Sequence, residues 1–322
     1  MDSYSNLESF DVTRQIKQYR GKKLEDLFQD QRIIRNEMGE FIALKWVEED
    51  FPIVDLGKTK RNLINNLKTV YYVGENIEKY LLRRGVKNLI DLKAHLRYRH
   101  SANKILNLIH DRAYKKLYKN RYITDLDVAF CFELEEILFL DIETLGIYDS
   151  PMIIVGIGYY NANRFHVDVL FARELEEEIA ICEHLRREIL PNFKCFVSYN
   201  GKTFDIPYIA NRFLYYFDEN PMISENEIPY ENVNTKYHHI DLYHSCRRKF
   251  KGSFFDYTLT NMEKELLNLE RKNQLPSNMV GTCYRRFLKN PEKYIGLIKE
   301  CVDHNYCDIY ALPLILQKIL QD

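Results

Sequence analysis

No stretch of this chain approaches the roughly 20 consecutive apolar residues that a membrane-spanning helix needs. No Cys-x-x-Cys pair occurs either, and the seven cysteines, Cys131, Cys182, Cys195, Cys246, Cys283, Cys301 and Cys307, are odd in number. That pattern argues against a zinc or iron–sulfur site and leaves most of them expected as buried thiols in a reducing compartment. The opening residues "MDSYSNLESFDV" are polar and acidic rather than a secretory signal. A soluble, cytoplasmic protein with no membrane partner is the expectation. There is little excess charge of either sign: the net charge is -1 and the pI is near 6.8, so overall charge names no partner. Internal repeats and low-complexity tracts are absent as well.

The chain does have 322 residues, 46% of them hydrophobic. That is enough for a large core, and the length suggests one big domain and a smaller one. The charge is unevenly spread. Arg83 to Arg121 holds 12 Lys/Arg and 2 Asp/Glu, a local balance of +10, with Tyr98, Tyr114, Tyr118 and Tyr122 interleaved. Such a segment suits a polyanion-facing surface, although a solvated helical face is the more ordinary reading of a charge run. Upstream, "RIIRNEMGEFIALKW" (32–46) reads as two short strands around Met38-Gly39. "NLKTVYYVGENIEKYLLRRGVKNLIDLKAHL" (66–96) reads as three helical pieces turned at Gly74 and Gly85. It resembles a helix-hairpin-helix unit, a module that binds nucleic-acid backbone through hairpin amides. Tyr72 stands where that module has its first glycine, before Val73 and Gly74, and a plain helical packing module fits the stretch too. Residues 1–134 are thus expected to form a smaller, mostly helical N-terminal region.

From about residue 135 the pattern changes. "ILFLD" (137–141), "MIIVGIGYY" (152–160), "RFHVDVLFA" (164–172) and "CFVSYN" (195–200) read as strands. Residues 174–190, 205–217, 259–267 and 294–320 read as helices, with Pro313 a kink or break in the last. An antiparallel meander leading into a parallel strand gives an α/β domain over 135–322, a mixed sheet flanked by helices.

Acidic residues punctuate this domain. In "EEILFLDIETLG" an apolar strand ends in Asp141 and Glu143, two apart and so pointing the same way on an extended chain. In "YNGKTFDIPYI", Asp205 opens a helix five residues after Asn200. "HIDLYH" carries Asp241. In "DHNYCDIYAL", His304 and Asp308 share one helix face at i, i+4. Converging carboxylates repel one another and persist only where cations neutralise them. Hard divalent ions bind through oxygen, and a pair about 4 Å apart activates water at phosphorus. Taken singly, each motif has an ordinary reading: a surface pair, a helix N-cap at Asp205, a structural histidine at 304.

In their order, "FLDIET", "NGKTFD" and "HNYCD" resemble the three exonuclease motifs of the DEDD superfamily, which has a ribonuclease H-like fold. The YprB-type exonuclease domain is the nearest likeness, over roughly 135–320. The stretch 239–271 resembles the YprB-type linker, with a Leu-x-x-x-Glu pattern from Leu259 to Glu263. The resemblance implies a 3′→5′ exonuclease acting on single-stranded DNA or RNA ends, with two Mg2+ or Mn2+ ions held by Asp141, Glu143, Asp205 and Asp308. Asn200 would support the substrate strand or orient the second motif, and Phe204 would pack beneath it. Lys202, Arg247 and Arg248 are candidates for phosphate contact, and the basic N-terminal region for contact with duplex. His304 lies four before Asp308, the register of the tyrosine-type subgroup with histidine chemistry. It is the expected proton-handling residue; Tyr306 is expected to face elsewhere. Asp241 is expected within the linker or on the site's rim. Two other readings keep the fold: a nucleic-acid binder with a vestigial site, and an endonuclease using the same metals.

Overall fold

A computed structural model of the chain describes residues 12–28, 30–223, 235–271 and 275–321. The polar opening stretch of the sequence falls, up to Asp11, outside the described residues. Strands are β1 (Gln31–Asn36), β2 (Gly39–Glu48), β3 (Ile137–Thr144), β4 (Met152–Asn161), β5 (Arg164–Phe171), β6 (Cys195–Ser198) and β7 (His238–Asp241). Helices are α1 (Val12–Tyr19), α2 (Gly57–Asn65), α3 (Glu75–Arg83), α4 (Arg99–His110), α5 (Tyr114–Tyr118), α6 (Glu178–His184), α7 (Asp205–Phe217), α8 (Leu242–Lys249), α9 (Leu259–Leu267), α10 (Val280–Lys289) and α11 (Pro291–Gln321). Among the described residues, no helix is long and apolar enough to cross a membrane.

The chain divides into two compact units, Met1–Ile53 with Glu135–Lys318, and Val54–Leu134 with Ile319–Asp322. The first holds one seven-stranded mixed sheet in the order β1-β2-β5-β4-β3-β6-β7. The strands β3, β4 and β5 form the expected antiparallel meander, and β6 and β7 add in parallel beyond β3. Part of the segment expected N-terminal to the 134/135 boundary joins this sheet. The hairpin of β1 and β2 belongs to this sheet, because β2 pairs with β5 from Ile42–Phe171 to Glu48–Phe165. A two-strand hairpin is marginal alone, and pairing with β5 satisfies its edge.

Helix α11 runs continuously through Pro313, so the expected break does not occur there. The proline costs one backbone bond, but Ile309, Ala311, Leu312, Ile315 and Leu316 around it are all buried and hold both flanks in place. Glycines on β4 let this helix lie close. A Cβ at Gly156 would come 2.2 Å from Asn305 Oδ1, and one at Gly158 would come 2.7 Å from Ile309 Cγ2.

The second unit packs α2 to α5 and short 3-10 turns around Leu63, Leu67, Leu81, Leu89, Leu92 and Leu117, each 2% exposed or less. The expected helices flanking Gly74 and Gly85 are in fact α3 between 3-10 turns at Leu67–Thr69 and Asp91–Ala94. Tyr72, at the glycine position of the resemblance, has φ 67°, the left-handed conformation for which glycine is favoured.

Candidate active site

Strand β3 answers why its apolar run ends in acids. Its parallel partner β6 pairs only with Ile137, Leu138 and Phe139, so Asp141 and Glu143 extend past that neighbour while still paired to β4. A register shift between Glu143 and Thr144 turns the strand end. A cavity of about 500 Å³ opens there, lined by Asp141, Glu143, Asp205 and Asp308 together with Asn200 and Phe204. Residues from three distant segments thus meet in one place.

Each carboxylate is positioned by its own contacts. Asp205 opens α7, and its Oδ1 accepts a hydrogen bond from the backbone N–H of Ile142 at 3.0 Å, which ties the second segment to β3. Asn305 on α11 donates from Nδ2 to Asp141 Oδ2 at 2.8 Å. Arg271 donates to Asp308 Oδ1 at 2.6 Å and also pairs with the buried Glu263. The Leu-x-x-x-Glu pattern therefore supplies one end of an ion-pair chain, Glu263–Arg271–Asp308, behind the cavity.

Burial pushes the Asp141 carboxyl well up, reinforced by Asp308, Asp205 and Glu143, and Asn305 opposes. Burial and the charges of Asp308 and Asp205 raise Glu143 likewise. Asp205 is pushed up to about 7, chiefly by burial, against its hydrogen bond from Ile142. Such a set carries a standing electrostatic strain that cations would relieve. The donor set fits hard divalent ions: oxygen ligands from four acids opening into one polar cavity.

His304 lies beside these acids without lining the cavity. Its Nε2 is 3.5 Å from Glu143 Oε1, 3.3 Å from Asp308 Oδ2 and 3.2 Å from Ser277 Oγ. Glu143, His304 and Asp308 could together hold one ion. The ring lines a second cavity of about 370 Å³ shared with Arg271 and Glu300, and burial holds its pKa below the ordinary value. Tyr306 faces elsewhere: its hydroxyl donates to Glu48 Oε1 at 2.6 Å and its ring lies 4.8 Å from that of Trp46.

Lys202, Arg247 and Arg248 do not line the cavity. Asp241 is fully buried. Its carboxylate accepts from the backbone N–H groups of Asn200 at 2.9 Å, Lys202 at 3.1 Å and Tyr243 at 3.0 Å. It therefore shapes the loop in which Asn200 takes φ 64°, and so sets where Asp205 begins its helix. An Asp241→Asn variant should lose about 1–3 kcal/mol of stability, measured by chemical denaturation; an unchanged midpoint would deny Asp241 this part.

Sequence reasoning missed Arg271 and Asn305, and also the turn and helix start that supply Ser277, Asn278, Gly281, Thr282 and Arg285 to the cavity. Only Gly281 carried a readable signal. A Cβ there would come 2.5 Å from the Leu145 carbonyl oxygen, so glycine lets α10 approach the end of β3.

With this geometry in hand, comparison with known proteins is consistent. A family model described as RNase_H superfamily matches residues 138–320. "Uncharacterized protein YprB" of Bacillus subtilis (strain 168) is 26% identical over 184 residues, which are 56% of this chain and 41% of that protein. The chain thus spans well under half of that relative's length. The mixed sheet with flanking helices is a ribonuclease H-like α/β fold of the YprB type.

Proposed function

The chain belongs to the RNase_H superfamily, and from that premise we propose that it is a divalent-metal-dependent 3′→5′ exonuclease acting on single-stranded DNA or RNA ends. The observation that carries this reading is the meeting of Asp141, Glu143, Asp205 and Asp308 in one cavity. Those four carboxylates would hold two ions, Mg2+ or Mn2+. When bound, such ions make water a usable nucleophile at neutral pH and offset charge on the phosphate.

The chain's own groups do the rest. Asn305 keeps the Asp141 carboxylate oriented. Asp241 holds the loop that presents Asn200 and Asp205. His304, kept neutral by burial, can accept a proton at the edge of the acid cluster. Asn200 and Phe204, which line the cavity, would border the entering strand. The basic unit of Val54–Leu134, with its hairpin at Tyr72 and Gly74, would add salt-dependent backbone affinity, including for duplex.

One observation favours an inactive binder instead: Arg271 already neutralises Asp308. A single assay decides. With Mn2+, a 5′-labelled single strand should shorten in a ladder from its 3′ end while a closed circle stays intact. Cleavage of the circle would make the protein an endonuclease, and no cleavage of either substrate would make it a binder.

A further inference from the structure

Tyr199 lines the cavity, and two contacts lead outward from it. Its ring meets that of Tyr243 edge-on at 5.9 Å, and the Arg247 guanidinium lies over the Tyr243 ring at 5.4 Å. Its hydroxyl donates to the Tyr257 carbonyl at 2.5 Å, fastening the turn that follows α8 to the rim of the cavity. That turn is internally braced. Tyr257 donates to the Phe250 carbonyl and accepts from the Gly252 N–H at 3.0 Å. The rings of Phe250 and Phe254 lie 5.7 Å apart, and those of Phe254 and Tyr257 6.0 Å. Phe255 takes no part in this packing and is 104% exposed. Residues 242–255 include Arg247, Arg248, Lys249 and Lys251, all exposed, and no acid.

We propose that the surface from Tyr199 through Tyr243 and Arg247 to Phe255 is a track for an unpaired nucleic-acid strand, with one base stacked on Phe255 and the flanking cations on its phosphates. A rigid turn that presents a bare aromatic face among positive charges matches the two faces of a single strand, its π-surface and its phosphates. A duplex keeps its bases stacked inside and has none to offer that ring. The C-terminal charges of α8 also favour its helix dipole, but that effect gives no reason for the phenylalanine. The track rests on the nuclease reading above and adds to it the surface that would hold the strand outside the cavity.

The test is binding without cleavage: fluorescence anisotropy of labelled oligo-dT and oligo-rU with the full chain, in chelator and at fixed salt. Phe255→Ala should bind roughly 5- to 100-fold more weakly than wild type, Phe255→Trp should bind like wild type, and a blunt duplex should not distinguish them. Matched thermal melts will show that the variants are folded. Equal single-strand binding by wild type and Phe255→Ala overturns the track, whether or not wild type cleaves. Weakened binding supports it even if no cleavage is ever seen. A wild type that binds no oligonucleotide overturns the track and the nuclease reading together. Loss of duplex and single-strand binding in equal measure also overturns the track.

Discussion

Asp141→Asn is expected to lower divalent-dependent cleavage roughly 10³-fold or more and, in the same protein, to raise the melting temperature of the metal-free form. The two effects share one cause. Asp141 is a partly buried acid facing Asp308, Asp205 and Glu143, so the ionised side chain costs stability until a cation meets it. An amide of nearly the same shape removes the repulsion and can still accept from Asn305. Each kcal/mol regained raises the melting temperature by roughly 2–4 °C. The stability gain has a pH signature. Asp205, pushed up to about 7 from 3.8, binds its proton more tightly in the folded chain. The metal-free wild type should therefore lose stability as pH rises from about 4 through 7, and Asp141→Asn should lose less. A variant that is inactive and less stable would mean that Asp141 is structural.

Arg271→Leu is expected to act in the opposite direction, destabilising the fold by about 3–5 kcal/mol. The guanidinium is largely buried between Glu263 and Asp308, and removing it strands two buried carboxylates without a counter-charge. The loss should appear as a melting temperature lower by roughly 6–20 °C. Mn2+ should restore part of it at pH 8, since an ion at Asp308 replaces the missing positive charge. A melting temperature within a degree of wild type would show that these ion pairs contribute nothing.

Much of this was legible in the sequence because its signals are local. The apolar run before Asp141, the i, i+4 spacing of His304 and Asp308, and the helix opening at Asp205 are each read within a few residues. The hairpin of β1 and β2 was legible as two strands, but its place in the sheet was not: its partner β5 lies over a hundred residues away, and the alternation that marks a strand does not name the strand it pairs with. Arg271 escaped for the same reason, since its contact with Asp308 spans 37 positions. The unbroken α11 shows packing overriding the local effect of Pro313.

The central claim is that four acids from distant segments share bound divalent ions. Titrating Mn2+ into the metal-free full chain, followed by calorimetry and electron paramagnetic resonance, tests it most directly. Two ions per chain with a spin-coupled spectrum at pH 8, binding that weakens as pH falls below about 7 because Asp205 must lose its proton, and loss of the coupled spectrum in Asp205→Asn are the predicted results. Failure to bind Mn2+ at pH 8, or binding unaltered by Asp205→Asn, would contradict it.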